Sequence, residues 1–138
     1  MIRWATERDY PSCSEMLLTE GIPEEQHRHE QWPTWVYEDD DGIAGFVTIN
    51  IVNGYPALQH LCIRRDRRRG GVRIVRDLLR WFKRICTDAG SPHAYAHADK
   101  DKPRIKRAIE YYFKVKPYHD NEKRYWYFLT IGGTHEDI

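Results

Sequence analysis

Apolar positions along this chain change their spacing several times, and each change marks an element. Tyr10, Cys13, Met16 and Leu17 recur at helical spacing. So do Val72, Val75, Leu78, Leu79 and Phe82, and later Ile105, Ala108, Ile109, Tyr112 and Phe113. Short apolar or alternating runs between them read as strands: Ile2 to Ala5, Trp32 to Glu38, Ile43 to Ile51, Ala57 to Ile63, His93 to Ala98 and Arg124 to Ile131. The punctuation agrees. Asp9 is placed to cap the first helix, with Pro11 in its first turn, and Gly21 and Pro23 stop it. Asp39-Asp40-Asp41-Gly42 and Asn53-Gly54-Tyr55-Pro56 are turn signals. Gly90 and Pro92 end the central helix, and Pro103 opens a third that Pro117 is expected to close. Residues 24–31 are polar all round and read as a short exposed helix. The resulting order is β-α-(α)-β-β-β-α-β-α-β. A meander followed by βαβ predicts an α/β fold of the α+β kind: a mixed, mostly antiparallel sheet with helices on both faces.

Length and composition narrow the class. At 138 residues the chain forms one domain able to bury a core unaided. That domain is expected over residues 1–133, with Gly132-Gly133 opening a polar tail at 134–138. An apolar content of 41% and an aromatic content of 13% exclude a disordered chain. Lys and Arg number 22 against 21 Asp and Glu, which argues against a general nucleic-acid binder. Cys13, Cys62 and Cys86 are widely spaced on apolar faces, so reduced core thiols in a cytoplasmic protein are expected. The N-terminus carries no apolar leader, and no stretch is long and apolar enough for a membrane partner.

Candidate chemistry concentrates in residues 57–80. A strand (Ala57 to Ile63) runs into a loop ending at Gly70-Gly71, and a helix follows; five arginines lie within residues 64–69. The first amides of a helix lack intrahelical partners, and the helix dipole makes that end positive. Glycine lets the backbone approach a phosphate, and arginine adds forked donors. A solvated turn before an ordinary amphipathic helix is the alternative. Neither the P-loop pattern nor the dinucleotide fingerprint occurs. No metal site is expected. His27 and His29 with Glu30 do not share a helix face, and Asp39 to Asp41 lack calcium-loop spacing.

Across nearly its whole length the pattern resembles the GNAT superfamily of acyl-CoA N-acyltransferases. Ile2 to Asp9 look like that family's opening strand and first helix cap, and Gly42 to Val47 like its third strand. Arg68-Arg69-Gly70-Gly71-Val72-Arg73 is similar to its cofactor loop Q/R-x-x-G-x-G/A, matching at Arg68 and Gly71 and departing at Arg73. A side chain at Arg73 either points outward or narrows the site.

The resemblance implies acetyl-CoA as co-substrate, with pantetheine between the strands at 57–63 and 93–98. Its amides would pair with backbone at Leu61, Cys62 and Ile63, and the amides of Arg68, Arg69, Gly70, Gly71, Val72, Arg73 and Ile74 would hold the pyrophosphate. Backbone N–H groups near Cys62 would stabilise the oxyanion. For the acid that protonates the departing thiolate, the resemblance points to Tyr112 first and Tyr111 second; Phe113 would leave the acid missing. No Glu lies on the strand from Ala57 to Ile63, so His60 is the candidate base, with His97 as the other. The implied function is an N-acetyltransferase acting on an amine of a protein or small molecule. A GNAT-fold binding protein without catalysis is the alternative. The acceptor site is expected from residues 18–34 and 117–124, where Trp32, Trp35 and Tyr118 either line a groove or pack. A homodimer is compatible with all of this.

Overall fold

The computed structural model describes residues 1–65 and 71–134. Its strands are β1 (Ile2–Trp4), β2 (Thr34–Asp39), β3 (Gly42–Val52), β4 (Tyr55–Ile63), β5 (His93–Asp99), β6 (His119–Asp120) and β7 (Arg124–Thr130). The helices are α1 (Tyr10–Thr19), α2 (Gly71–Asp88) and α3 (Pro103–Phe113). One sheet of seven strands has the order β1-β2-β3-β4-β5-β7-β6. Every neighbouring pair is antiparallel except β4 and β5. The predicted fold class is the one found.

The alternation of apolar residues explains the layers. Ala94, Ala96 and Ala98 of β5 point to one face, where they meet Leu78, Leu79 and Phe82 of α2 and Ile109, Tyr112 and Phe113 of α3. Small residues on the strand leave room for the large ones on the helices. On the other face α1 buries Cys13, Met16 and Leu17 against Val36, Phe46 and Cys62. Asp9 precedes α1, and Pro11 lies in its first turn. Arg3 Nη1 and Nη2 donate to the Asp9 carboxylate at 2.8 and 3.0 Å, tying β1 to the start of α1. That guanidinium holds the Asp9 carboxyl down at about 2. The β3–β4 hairpin turns on Asn53 and Gly54 at φ 52° and 82°, the paired left-handed geometry that an Asn-Gly turn favours.

Three expectations change, and one strand, β6, was not expected. Residues 24–31 form no helix beyond a 3-10 turn at Glu24–Gln26, followed by a turn in which the Gln31 N–H donates to the Arg28 carbonyl, and His29 is not exposed but 2% accessible. His29 sits edge-on to Tyr10 and Phe46, and its Nε2 is 3.1 Å from Ser14 Oγ. Helix α3 stops before Pro117: it ends at Phe113, with Lys114 left-handed at φ 52°. Strand β6, two residues long, lacks any apolar signal because both residues are exposed. Trp35 is a core residue at 5% exposure, whereas Tyr118 stands at 61%. All three cysteines are buried and unpaired. The expected tail at 134–138 lies outside the described residues beyond Thr134.

Candidate active site

The site begins with a failure of pairing. Thr48 opposes His60 and Ile49 opposes Leu58, so Gln59 has no partner across β3. A bulge of this kind bends its strand. Past the bend β4 leaves β5: the two pair only at Ala57↔Tyr95. Strand β5 keeps its other edge closed, pairing with β7 from His93↔Thr130 to Asp99↔Arg124. A cleft of about 470 Å³ opens in the gap. Residues 58–62 form one wall and His97, Ala98 and Asp99 the other. Lys102, just before α3, and Ile105 within it also line the cleft, as do Arg28, Lys123 and Trp126. Backbone groups of β4 that point at β5 have lost their ladder partners. Such groups call for another partner, and an extended chain of amides supplies one.

Helix α2 starts beside the Ile63 end of β4, where a Cβ on Gly71 would lie 3.6 Å from Ile63 Cγ2. Gly71 is its first residue and is buried, while Val72 and Arg73 face solvent and Ile74 and Val75 face the core. Arg73 therefore points outward, the first of the two expected dispositions. Close packing holds the corner: a Cβ on Gly45 of β3 would lie 2.8 Å from the Cys62 carbonyl oxygen and 3.3 Å from Ile74 Cγ2. Arg68, Arg69 and Gly70 fall outside the described residues.

The two imidazoles of the cleft differ. His60 Nε2 accepts the backbone N–H of Arg28 at 3.0 Å. Its basic lone pair is therefore occupied, and the ring proton sits on Nδ1. Burial, aided by the neighbouring histidines, lowers His60 to about 3. His97 lies across the gap on β5 with its ring tilted over Trp126 at 5.4 Å. Burial and then Arg124 lower it to about 4, so it is neutral at pH 7. Among the described residues no hydrogen bond engages either nitrogen of His97, which leaves it a free acceptor in the cleft.

The tyrosines stand elsewhere. Tyr112 is fully buried, 5.0 Å ring to ring from Phe113 in the core under α3. Tyr111 is 51% exposed. Neither lines the cleft. Helical spacing correctly points Tyr112 at the sheet, but at a closed part of it.

An ion cluster beside the cleft carried no sequence signal. Asp99 accepts from Arg124 Nε at 3.0 Å and from Lys102 Nζ at 3.2 Å, and Lys102 also meets Glu20 at 3.5 Å. Burial is the largest single influence and works against both charges, yet the opposite charges and hydrogen bonds around each together outweigh it, so Asp99 is lowered and Lys102 raised. These residues come from three segments, at Glu20, Asp99 to Lys102 and Arg124, that meet only in the fold. Among the described residues no group of His, Cys, Asp and Glu could hold a metal. No helix there is long and apolar enough to cross a membrane.

Known structures share this fold. An N-acetyltransferase from Staphylococcus aureus Mu50 superposes with a TM-score of 0.75 at 14% identity, covering 95% of this chain and 98% of that one. Ard1 from Thermoplasma volcanium gives 0.75 at 14% identity, covering 94% and 96%. The ribosomal-protein-S18-alanine N-acetyltransferase from Escherichia coli gives 0.69 at 14%, covering 100% and 97%. The chain has the GNAT fold. By sequence alone it matches no protein-family model and no curated protein. In the GNAT fold of this chain the cleft falls where the resemblance put the cofactor, between the strands at 57–63 and 93–98.

Proposed function

We propose that this GNAT-fold chain is an N-acetyltransferase that moves an acetyl group from acetyl-CoA to an amine. The observation that carries the reading is the open edge of β4, which parts from β5 after one residue pair and faces a free imidazole, His97. The residues fit the co-substrate. An unpaired strand edge suits the amides of pantetheine. Leu61, Cys62 and Ile63 would supply the backbone contacts. Gly71, Val72, Arg73 and Ile74 would turn helix N-terminal amides toward the pyrophosphate, joined by Arg68, Arg69 and Gly70. Acetyl-CoA, when bound, supplies an acyl group activated as a thioester.

The chain's own part is positioning and proton transfer. Backbone N–H groups near Cys62 would donate toward the negative charge that develops on the acyl oxygen. An acceptor amine must shed a proton as its nitrogen forms the new bond. We assign that proton to His97, because the lone pair of His60 is already used. The same proton, passed on, would neutralise the departing sulfur, so that amide and free thiol are formed with no net proton held by the protein. Tyr112 and Tyr111 stay out of this path, since neither lines the cleft. A cytoplasmic location, suited to three unpaired thiols, belongs to the same proposal.

The burial of Tyr112 favours a second reading, in which the cleft binds CoA without transfer. Calorimetry with CoA, followed by thiol release from acetyl-CoA over a panel of amines, separates the two. Binding with turnover is expected. Binding without turnover leaves the second reading, and no binding overturns both.

A further inference from the structure

We propose that the acceptor amine also carries an anionic group, a carboxylate or phosphate, which Arg28 and Lys123 receive on the side of the cleft opposite α2 and α3. The proposal deepens the transferase reading and rests on it.

The polar inventory of the cleft is lopsided. Four cations line it, Arg28, Lys102, Lys123 and Arg124, against one carboxylate, Asp99. Asp99 is already spent on Arg124 and Lys102. Arg28 gives Nη1 only to carbonyl oxygens, those of Glu25 at 2.8 Å and His27 at 2.9 Å. Among the described residues neither Arg28 nor Lys123 meets a carboxylate. Two charges therefore stand uncompensated on walls built from the 3-10 turn region and the β6–β7 turn.

The neutral groups point the same way. Asn121 Oδ1 accepts the backbone N–H of Lys123 at 2.9 Å and of Arg124 at 2.8 Å, so what it still has to offer is its N–H₂. Gln59 Oε1 accepts from Asn50 Nδ2 at 3.0 Å and likewise keeps its donors. His60, with Nε2 occupied, is a donor at Nδ1. Among the described side chains of the lining, donors thus outnumber free acceptors, which are His97 and the amide oxygen of Gln26. An amine matches the acceptors, and an anion matches the donors. A neighbouring hollow adds Glu20, Asp101 and Glu122. Glu20 and Asp101 are held by Lys102, and Glu122 does not line the cleft.

Arg28 also stands apart from the expected cofactor path. Its backbone is fixed to His60, whose ring packs edge-on to Phe46 on the α1 face of the sheet. Helix α2, with its N-terminus, packs on the other face. Lys123 shares a hollow with Glu20, Ile22 and Gln26 at the end of α1, and that separation assigns Arg28 and Lys123 to the acceptor rather than to the diphosphate.

The test compares matched amines, 4-aminobutyrate, n-butylamine and putrescine, both as acceptors and as ligands in calorimetry. The first should exceed the second in kcat/KM and in affinity by about tenfold, the worth of one charge-assisted hydrogen bond. That advantage should shrink in high salt. Arg28→Gln and Lys123→Gln should each cut the ratio by about threefold or more. Butylamine or putrescine accepted as readily as 4-aminobutyrate would overturn the proposal. So would a rise in the acetyl-CoA KM, matching the lost preference, in either variant. The outcomes separate from those of the transferase reading. Preferential binding of 4-aminobutyrate without thiol release sinks transfer and keeps the anion site; thiol release without preference does the reverse.

Discussion

Strand β5 meets its two neighbours in opposite ways. Toward β7 it forms a ladder over seven consecutive residues, from His93 to Asp99. Toward β4 it pairs at one position, Ala57↔Tyr95. The side chains above and below are similar in kind, and both junctions sit over the core under α2 and α3. The difference is the bulge at Gln59, which turns β4 away. A closed junction satisfies its backbone groups internally and contributes stability. The open one leaves them for a ligand. A sheet can therefore keep a binding edge in its middle, where flanking helices shield it from the strand-to-strand aggregation that an outer edge invites.

The contrast can be broken first by mutation in the core. Leu129 on β7 is fully buried at the closed junction. Leu129→Ala should cost about 2–5 kcal/mol in urea unfolding. Leu61, half-buried on the open wall, should cost at most about 1–2 kcal/mol as Leu61→Ala, while weakening CoA binding by calorimetry. Equal losses of stability at the two sites would mean that the open junction is held shut in solution.

Next in size is the imidazole facing the gap. His97→Gln should lower kcat by about 100-fold while CoA affinity stays near that of the parent. With its value near 4, His97 is already unprotonated above pH 6, so it adds no acid limb to kcat/KM there. A drop of less than about threefold would hand the proton to solvent instead.

The pH response of the fold is the last test. His60 and His97 titrate near 3 and 4 when folded and near ~6.5 when unfolded. Their folded values are lowered, so the unfolded chain binds protons first. Stability is complete above pH 6.5 and falls as pH drops toward 4, by about 1.4 kcal/mol per pH unit for each buried imidazole. Thermal unfolding across that window should show the slope, and His60→Gln should reduce it by less than half, because buried His29 is lowered too. An unchanged slope would place the titrating groups elsewhere.

Much of this site was legible, and the gaps have physical causes. The strand at 57–63, the helix after Gly71 and the facing strand at 93–98 all follow from local periodicity and punctuation. Tyr112 shows the limit. Its spacing correctly points it at the sheet, but whether that part of the sheet is closed or open depends on a neighbouring strand. His29 shows the same limit in reverse: a polar stretch hides a histidine that Tyr10 and Phe46 enclose. The choice between His60 and His97 turned on one backbone N–H, that of Arg28, donated from 32 residues away in sequence.

The sequence by itself determined most of the element order, the mixed sheet, the buried thiols, and the strand and helix on either side of residues 66–70. Those features rest on side-chain period and on glycine and proline, which act within a few residues of themselves. Only the tertiary structure decided the bulge at Gln59, the parting of β4 from β5, the ion cluster around Asp99 and the unmatched charges of Arg28 and Lys123. Those arise where segments distant along the chain come together, and what a group pairs with there is set by its neighbours in space.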